Sequence, residues 1–79
     1  MVLSVLCFAS WGDALGSVVA VDIPEGATVA QLIEVLGARV LPGVQLPEPM
    51  IAVNRRYADR ATVLRAGDEV AVIPPVAGG

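Results

Sequence analysis

The residues at the carboxyl end of the chain form the segment most suited to a chemical reaction. Its last six residues are Pro74-Pro75-Val76-Ala77-Gly78-Gly79. Proline fixes φ and lacks a backbone donor, so the Pro-Pro pair ends any strand or helix before it. The residues behind the prolines are small, which favours a tail that enters a narrow space. The α-carboxylate of Gly79 is therefore the candidate reactive group.

The rest of the composition argues against conventional catalysis within the chain. It contains no histidine, and all five of its basic residues are arginine. A Ser-His-Asp triad, a Cys-His pair or a zinc cluster cannot be assembled without histidine and with a single cysteine. That cysteine, Cys7, lies in an apolar run and is predicted to be a small core residue. We expect no metal site and no bound cofactor.

Length and charge narrow the class of protein. A chain of 79 residues makes one domain with room for one small core. Its net charge of −3 argues against nucleic acid or an anionic membrane as a partner. The uncharged run 1–12 is shorter than the ~18 residues of a membrane span and lacks a basic signal-peptide region. One cysteine also fits a reducing compartment, so we expect a cytoplasmic protein.

The apolar pattern predicts several strands separated by short breaks. Strand signals lie at residues 2–8, 17–23, 50–53 and 69–73, with a short bridge at 62–64. Because Ser10-Trp11-Gly12-Asp13 breaks the pattern, the first two strands are predicted to form an antiparallel hairpin with a short connection. A turn is expected at Asn54-Arg55, an irregular crossing from Tyr57, and a tight turn at Ala66-Gly67-Asp68.

One main helix is predicted after the second strand. Thr28 followed by Gln31 is a capping box, and apolar residues then recur at helical spacing at Val29, Leu32, Ile33, Leu36 and Val40. Gly37 is interpreted as a close-packing point or an early C-cap. Three prolines exclude regular structure from residues 42–49, which are predicted to be a connecting loop.

These elements predict an α+β domain with one mixed sheet packed on one main helix. The helix must bury its apolar face on the sheet. If the connection through the helix is right-handed, the last strand pairs in parallel beside the first at the sheet centre. Such an arrangement is a β-grasp, here over residues 1–73, with residues 74–79 as an extended reactive tail. The other face of the sheet would stay partly open.

Three segments resemble the small, sulfur-carrying subunit of molybdopterin synthase. They are Leu6-Cys7-Phe8-Ala9, Val53-Asn54 with Tyr57-Ala58-Asp59, and Gly67-Asp68-Glu69-Val70-Ala71-Val72-Ile73 with the tail behind it. The resemblance spans nearly the whole chain, and the Gly-Asp-Glu-Val to Pro-Pro-Val-x-Gly-Gly segment is its most specific part. It implies a ubiquitin-like fold whose tail carries sulfur.

The resemblance also implies a chemistry for Gly79. A carboxylate with a pKa of about 3.5 is ionised at neutral pH and is a poor electrophile until it is activated. In the family, an ATP-dependent adenylating enzyme makes an acyl-adenylate, and a sulfur donor displaces AMP to leave a thiocarboxylate. The large catalytic subunit then uses this sulfur on a cyclic pyranopterin precursor. This chain is thus implied to be a non-catalytic sulfur donor, with a heterotetramer as the family's assembly.

Docking residues are implied by position in the matched segments. Phe8, Tyr57 and Ile73 resemble the family's apolar patch for the large subunit and the activating enzyme; the alternative is that all three are core. Arg55, Arg56, Arg60 and Arg65 are interpreted as a polar rim or a solvated edge. Trp11 and the 42–49 loop depart from the family, and Trp11 is interpreted as capping the hairpin or widening the patch.

Other functions remain open on the sequence. The same fold and Gly-Gly end occur in sulfur carriers for thiamine thiazole synthesis and tRNA thiolation, although Pro-Pro-Val ahead of the glycines favours molybdopterin. A ubiquitin-like modifier would instead link its tail to lysines of other proteins. An inert β-grasp interaction module is the third alternative, for which removal of Gly78 and Gly79 would change nothing.

Overall fold

A five-stranded mixed sheet and two helices form residues 1–74, the part of the chain that the computed structural model describes. In chain order the elements are β1 (Val2–Cys7), α1 (Ala9–Leu15), β2 (Val18–Asp22), α2 (Val29–Ala38), β3 (Met50–Val53), β4 (Arg56–Ala58) and β5 (Val70–Ile73). The strand order is β2-β1-β5-β3-β4, and β1 and β5 pair in parallel at the centre. The predicted mixed sheet with one main helix is confirmed.

The core lies between α2 and one face of the sheet. Alternate residues of the central strands are buried there, among them Leu3, Val5 and Cys7 on β1 and Val70 and Val72 on β5. The helix contributes Val29, Leu32 and Leu36. Each fully buried Leu or Val contributes roughly 1.5–3 kcal/mol. The prediction that Cys7 is a core residue is confirmed.

Helix α2 begins at the predicted capping box. The Thr28 hydroxyl accepts from the Gln31 backbone N–H, and Gln31 Oε1 accepts from the Thr28 N–H at 2.8 Å. The helix ends at Ala38, so Val40 lies beyond it, although its side chain still packs against the core. Both interpretations of Gly37 were wrong, since it lies inside the helix and a Cβ there would meet nothing within 4 Å.

The connection from β1 to β2 differs from the prediction. The two strands do pair antiparallel, but helix α1 joins them, so they are not a hairpin with a short connection. Trp11 explains the helix, because its side chain is only 5% exposed and joins the core. A Cβ on Gly12 would lie 2.6 Å from the Cys7 carbonyl oxygen, so only glycine fits there.

Trp11 also holds the long loop in place. Its indole N–H donates to the Pro47 carbonyl oxygen at 2.9 Å. Residues 42–49 contain no helix or strand, as predicted, yet this bond fastens them to α1. Trp11 therefore neither caps a hairpin nor widens a surface patch, and both interpretations were wrong.

The β3–β4 hairpin also differs from the prediction in part. Asn54 and Arg55 have φ of 52° and 69°, and two such central residues make the tight turn that suits a twisted hairpin. Tyr57 lies in the regular strand β4, so the predicted irregular crossing was wrong. The short bridge predicted at residues 62–64 is present, as an isolated bridge between Val63 and Thr28.

Candidate functional site

The face of the sheet away from α2 carries a continuous apolar surface. Strand register places one residue from every strand in a single row: Val18, Leu6, Ala71, Ala52 and Tyr57. A second row, nearer the end of β5, contains Phe8, Ile73 and Met50. We call these eight residues the open-face patch. No second layer of residues 1–74 covers it.

Several members of the patch are strongly exposed. Tyr57 is 68% exposed, Val18 60%, Phe8 49% and Met50 42%. Large apolar side chains that lie together in water mark a surface that another molecule covers. Phe8 and Tyr57 are thus surface residues and not core, while Ile73 is half-buried. Their contact with a partner stays a prediction.

The structure brings the three predicted docking residues together. Phe8, Tyr57 and Ile73 line one shallow hollow of about 310 Å³. Its floor contains apolar residues that sequence reasoning missed, namely Leu6, Ala52 and Ala71. The signal was present for two of them, since Leu6 and Ala71 lie two residues before Phe8 and Ile73 and share their face of the sheet. Ala52 required knowledge of strand pairing.

A charged pair borders this hollow. Arg55 Nε lies 3.7 Å from a Glu69 carboxylate oxygen, and both side chains line the hollow. Both are largely exposed, so the pair adds little to stability. Arg55 therefore lies where a polar rim was predicted. Arg60 pairs with Glu48 elsewhere, beside the end of β4.

The Gly67-Asp68-Glu69 segment positions the start of β5, the strand that contributes Ala71 and Ile73 to the patch. Asp68 accepts from the Asn54 side-chain amide at 3.0 Å and from the Arg65 backbone N–H at 2.8 Å. Asn54 in turn accepts from the Glu69 backbone N–H at 2.9 Å. Gly67, with φ of 86°, closes the predicted tight turn. These polar residues tie the hairpin to the start of β5.

The predicted reactive group lies outside the described residues. Pro75, Val76, Ala77, Gly78 and Gly79 all fall beyond position 74, so the tail and its role stay predictions. Pro74 is described, and it directly follows Ile73, which pairs with Met50. The tail therefore begins at the end of β5 where the second row of the patch lies.

The described residues contain little other reactive chemistry. Burial raises the pKa of the Cys7 thiol, which keeps it protonated and unreactive at neutral pH. Residues 1–74 contain no group of three or more His, Cys, Asp or Glu that could hold a metal ion. No helix within the same range is long and apolar enough to cross a membrane.

Comparison with known proteins assigns the family. Residues 5–79 match the sequence profile of the ThiS family, which is nearly the whole chain. The chain belongs to the ThiS family. The match includes the strands of the open-face patch and the Gly-Gly end.

Solved structures of ThiS-like proteins have the same fold. A putative molybdopterin converting factor subunit 1 from Pyrococcus furiosus is 32% identical, with 92% of this chain and 95% of that chain covered and a TM-score of 0.80. SAMP1 from Haloferax volcanii is 27% identical over 100% of both chains, with a TM-score of 0.75.

A third structure shows the fold within a complex. It contains subunits 1 and 2 of the molybdopterin-converting factor from Helicobacter pylori, and the matched chain is 24% identical over 100% of both chains, with a TM-score of 0.68. Together the matches confirm the ubiquitin-like β-grasp fold and the resemblance to the small molybdopterin synthase subunit. They also show that this chain is similar to small archaeal modifier proteins.

Proposed function

We propose that this ThiS-family chain is the sulfur-carrier subunit of molybdopterin synthase, acting in molybdenum cofactor biosynthesis. One observation carries the proposal: a tail that ends in Gly78-Gly79 begins at Pro74, beside an exposed apolar patch. The patch holds a partner while the tail reaches into it. The body of the protein is thus a docking module and Gly79 a carried reagent.

Two of the matched structures support this pathway. The Pyrococcus furiosus chain, 32% identical, is a putative molybdopterin converting factor subunit 1. The Helicobacter pylori structure pairs a chain of the same fold with subunit 2 of that factor. We therefore propose the large catalytic subunit of the synthase as one partner and an ATP-dependent adenylating enzyme as the other.

The proposed chemistry takes place on the Gly79 carboxyl. Its oxygen attacks the α-phosphate of ATP within the activating enzyme, which forms an acyl-adenylate and releases pyrophosphate. A sulfide equivalent attacks the acyl carbon, and AMP leaves with the C–O electron pair. The resulting thiocarboxylate delivers its sulfur to the pyranopterin precursor in the large subunit, and water restores the carboxylate. This chain itself binds no cofactor, since ATP is used by the activating enzyme.

Features of the chain suit this role. Glycine at the acyl carbon places no Cβ beside the two displacement steps and leaves the backbone unrestricted. Six residues from Pro74 to Gly79 would reach about 20 Å if fully extended at ~3.3 Å each, enough to reach inside a partner. The buried thiol of Cys7, with its raised pKa, cannot intercept the activated acyl group.

Intact-mass measurement tests the proposal. The chain is incubated with the adenylating enzyme, ATP and a sulfur donor, and a single exchange of oxygen for sulfur is expected. The control lacks Gly78 and Gly79 and should gain nothing. If the full chain gains no sulfur while a known carrier is converted in the same mixture, the sulfur-carrier proposal is wrong.

A second measurement separates the sulfur pathways. Thiocarboxylated chain is mixed with the large synthase subunit and the pyranopterin precursor, and formation of molybdopterin is measured. Sulfur loading without molybdopterin formation would favour thiazole synthesis or tRNA thiolation instead.

A second candidate function is a ubiquitin-like protein modifier. The full-length similarity to SAMP1 from Haloferax volcanii, at 27% identity, favours it. In that case residues 66–79 would appear on lysines of other proteins after trypsin cleaves behind Arg65. Their absence from cells in which the sulfur-loaded form is detected would exclude this function.

A further inference from the structure

The sheet has two free edges, β2 and β4, and they are covered differently. On β2, the bonds from Cys7 N to Ser17 O and from Ile23 N to Met1 O direct the odd-numbered residues toward β1. Ala20 therefore directs its backbone N–H and C=O outward. The Arg39 guanidinium donates to that carbonyl oxygen at 3.0 Å, so a side chain from α2 covers the middle of this edge.

The β4 edge has no such cover. The bond from Asn54 N to Glu69 O directs Ala52 toward β5, which leaves Ile51 and Val53 to bond with β4. Tyr57, opposite Ala52, must then direct its backbone N–H and C=O away from the sheet. Neither group has a hydrogen-bond partner within residues 1–74. One backbone donor and one acceptor are therefore available at this edge.

A groove of about 750 Å³ lies along the same edge, between β4 and α2. Its apolar lining includes Val29 and Ile33 of α2, Ile51 of β3 and Ala58 of β4. Side chains of a strand alternate between faces, so a strand placed beside Tyr57 would direct alternate side chains into this groove. The edge and the groove together have the shape of a strand-addition site.

The charges around the groove decide what enters it. Arg60 and Glu48, at its wall, are paired with each other. The Asp59 carboxylate accepts from the Ala61 backbone N–H at 2.9 Å and from the Thr62 hydroxyl at 3.2 Å. Because these polar groups already have partners, the groove favours an uncharged, aliphatic side chain.

We propose that the β4 edge binds an extended segment of the protein that covers the open-face patch, with an aliphatic side chain in the groove. Continuity identifies this occupant, since Tyr57 and Met50 belong both to the patch and to the groove. The segment exchanges two hydrogen bonds with the Tyr57 backbone. The inference rests on the proposed function, in which the covering protein is the large synthase subunit.

Amide hydrogen exchange provides the first test. The exchange rates of the Tyr57 and Ala20 amides are measured by NMR in the free chain and in its complex with the large subunit of the source organism. Both amides point outward from edge strands, so Ala20 is the matched control. We expect Tyr57 exchange to slow by about tenfold or more and Ala20 exchange to stay within about twofold. Fast Tyr57 exchange in the complex would contradict the inference.

Backbone esters provide the second test. Replacing Tyr57 with its α-hydroxy acid removes its N–H donor and keeps the phenol, but it also weakens the Arg56 carbonyl as an acceptor. The same replacement at Ala20 is the control, because it weakens the Val19 carbonyl, which likewise faces a neighbouring strand. Calorimetry should show about tenfold weaker binding of the large subunit for the Tyr57 ester and under about twofold change for the Ala20 ester. If the Tyr57 and Ala20 esters bind the large subunit with equal affinity, the strand-addition inference is wrong and the proposed function is unaffected. Failure of the unmodified chain to bind the large subunit overturns the proposed function as well.

Discussion

The two faces of the sheet are built from the same kinds of side chain, yet only one is covered. Leu3 and Val5 of β1 lie under α2, whereas Leu6 of β1 and Phe8, which follows the strand, lie on the open face. A chain that is 56% hydrophobic thus has more apolar surface than its one core can bury. The high hydropathy of this short chain therefore reflects two surfaces, one buried by folding and one left exposed, which we propose for docking.

Truncation of a side chain on the covered face should have the largest effect, and that effect should be on stability. We expect Leu32→Ala to lower the free energy of unfolding by about 2–5 kcal/mol, because Leu32 is fully buried and the cavity cannot close. Urea unfolding followed by circular dichroism measures it. A loss below about 1 kcal/mol would mean that the helix side is less tightly packed than the structure shows.

Truncation of a side chain on the open face should weaken partner binding and leave stability nearly unchanged. We expect Tyr57→Ala to weaken binding to the large subunit by about 2 kcal/mol, roughly 30-fold, as for an aromatic hot spot. Because Tyr57 is 68% exposed, stability should change by less than about 0.5 kcal/mol. Titration calorimetry and urea unfolding give the two values. If unfolding changes as much as binding, the two faces are not functionally separate.

Trp11 offers an aromatic residue on the covered side for comparison with Phe8 on the open side. Trp11→Phe removes the indole donor to the Pro47 carbonyl and should cost about 1–2 kcal/mol of unfolding free energy. Phe8→Leu should leave stability nearly unchanged. Thermal unfolding of both variants measures the contrast, and equal melting temperatures would show that the loop is held by other contacts.

The smallest expected effect is a pH dependence of stability that arises from Cys7, a buried thiol of the covered face. Burial raises the folded-state pKa of Cys7 above its usual 9.0. Folding then keeps the thiol protonated, so this contribution to stability is complete below pH 9 and is lost as pH rises through the folded-state pKa. Wild type should lose more stability than Cys7→Ala between pH 8 and pH 10.5. The free energy of unfolding is measured by urea denaturation for both proteins at both pH values. An equal loss in the two proteins would contradict this prediction.

The sequence predicted those elements whose signals are local. The capping box of Thr28 and Gln31 identified α2, and β-branched runs located β1, β2, β3 and β5 to within about one residue at each end. The Pro-Pro pair marked the end of β5. In each case neighbouring residues alone determine the conformation.

Elements that depend on distant contacts were not predictable in the same way. Helix α1 depends on Trp11 reaching the core and Pro47, 36 residues away. Strand β4 has only three residues, too few for alternation to be recognised, and it forms because β3 is beside it. Phe8, Tyr57 and Ile73 were found by resemblance, but Ala52 and Met50 enter the patch only through strand register.

The position of β5 has a mechanical consequence for the proposed function, in which the end of the chain enters its partners. β5 is the middle strand, with β1 parallel on one side and β3 antiparallel on the other. A pull on Pro74 acts along the strand, so the hydrogen bonds on both sides resist it together rather than opening one at a time. In the proposed function, withdrawal of the tail from a tight channel would therefore load the domain along the direction in which both sets of hydrogen bonds resist together.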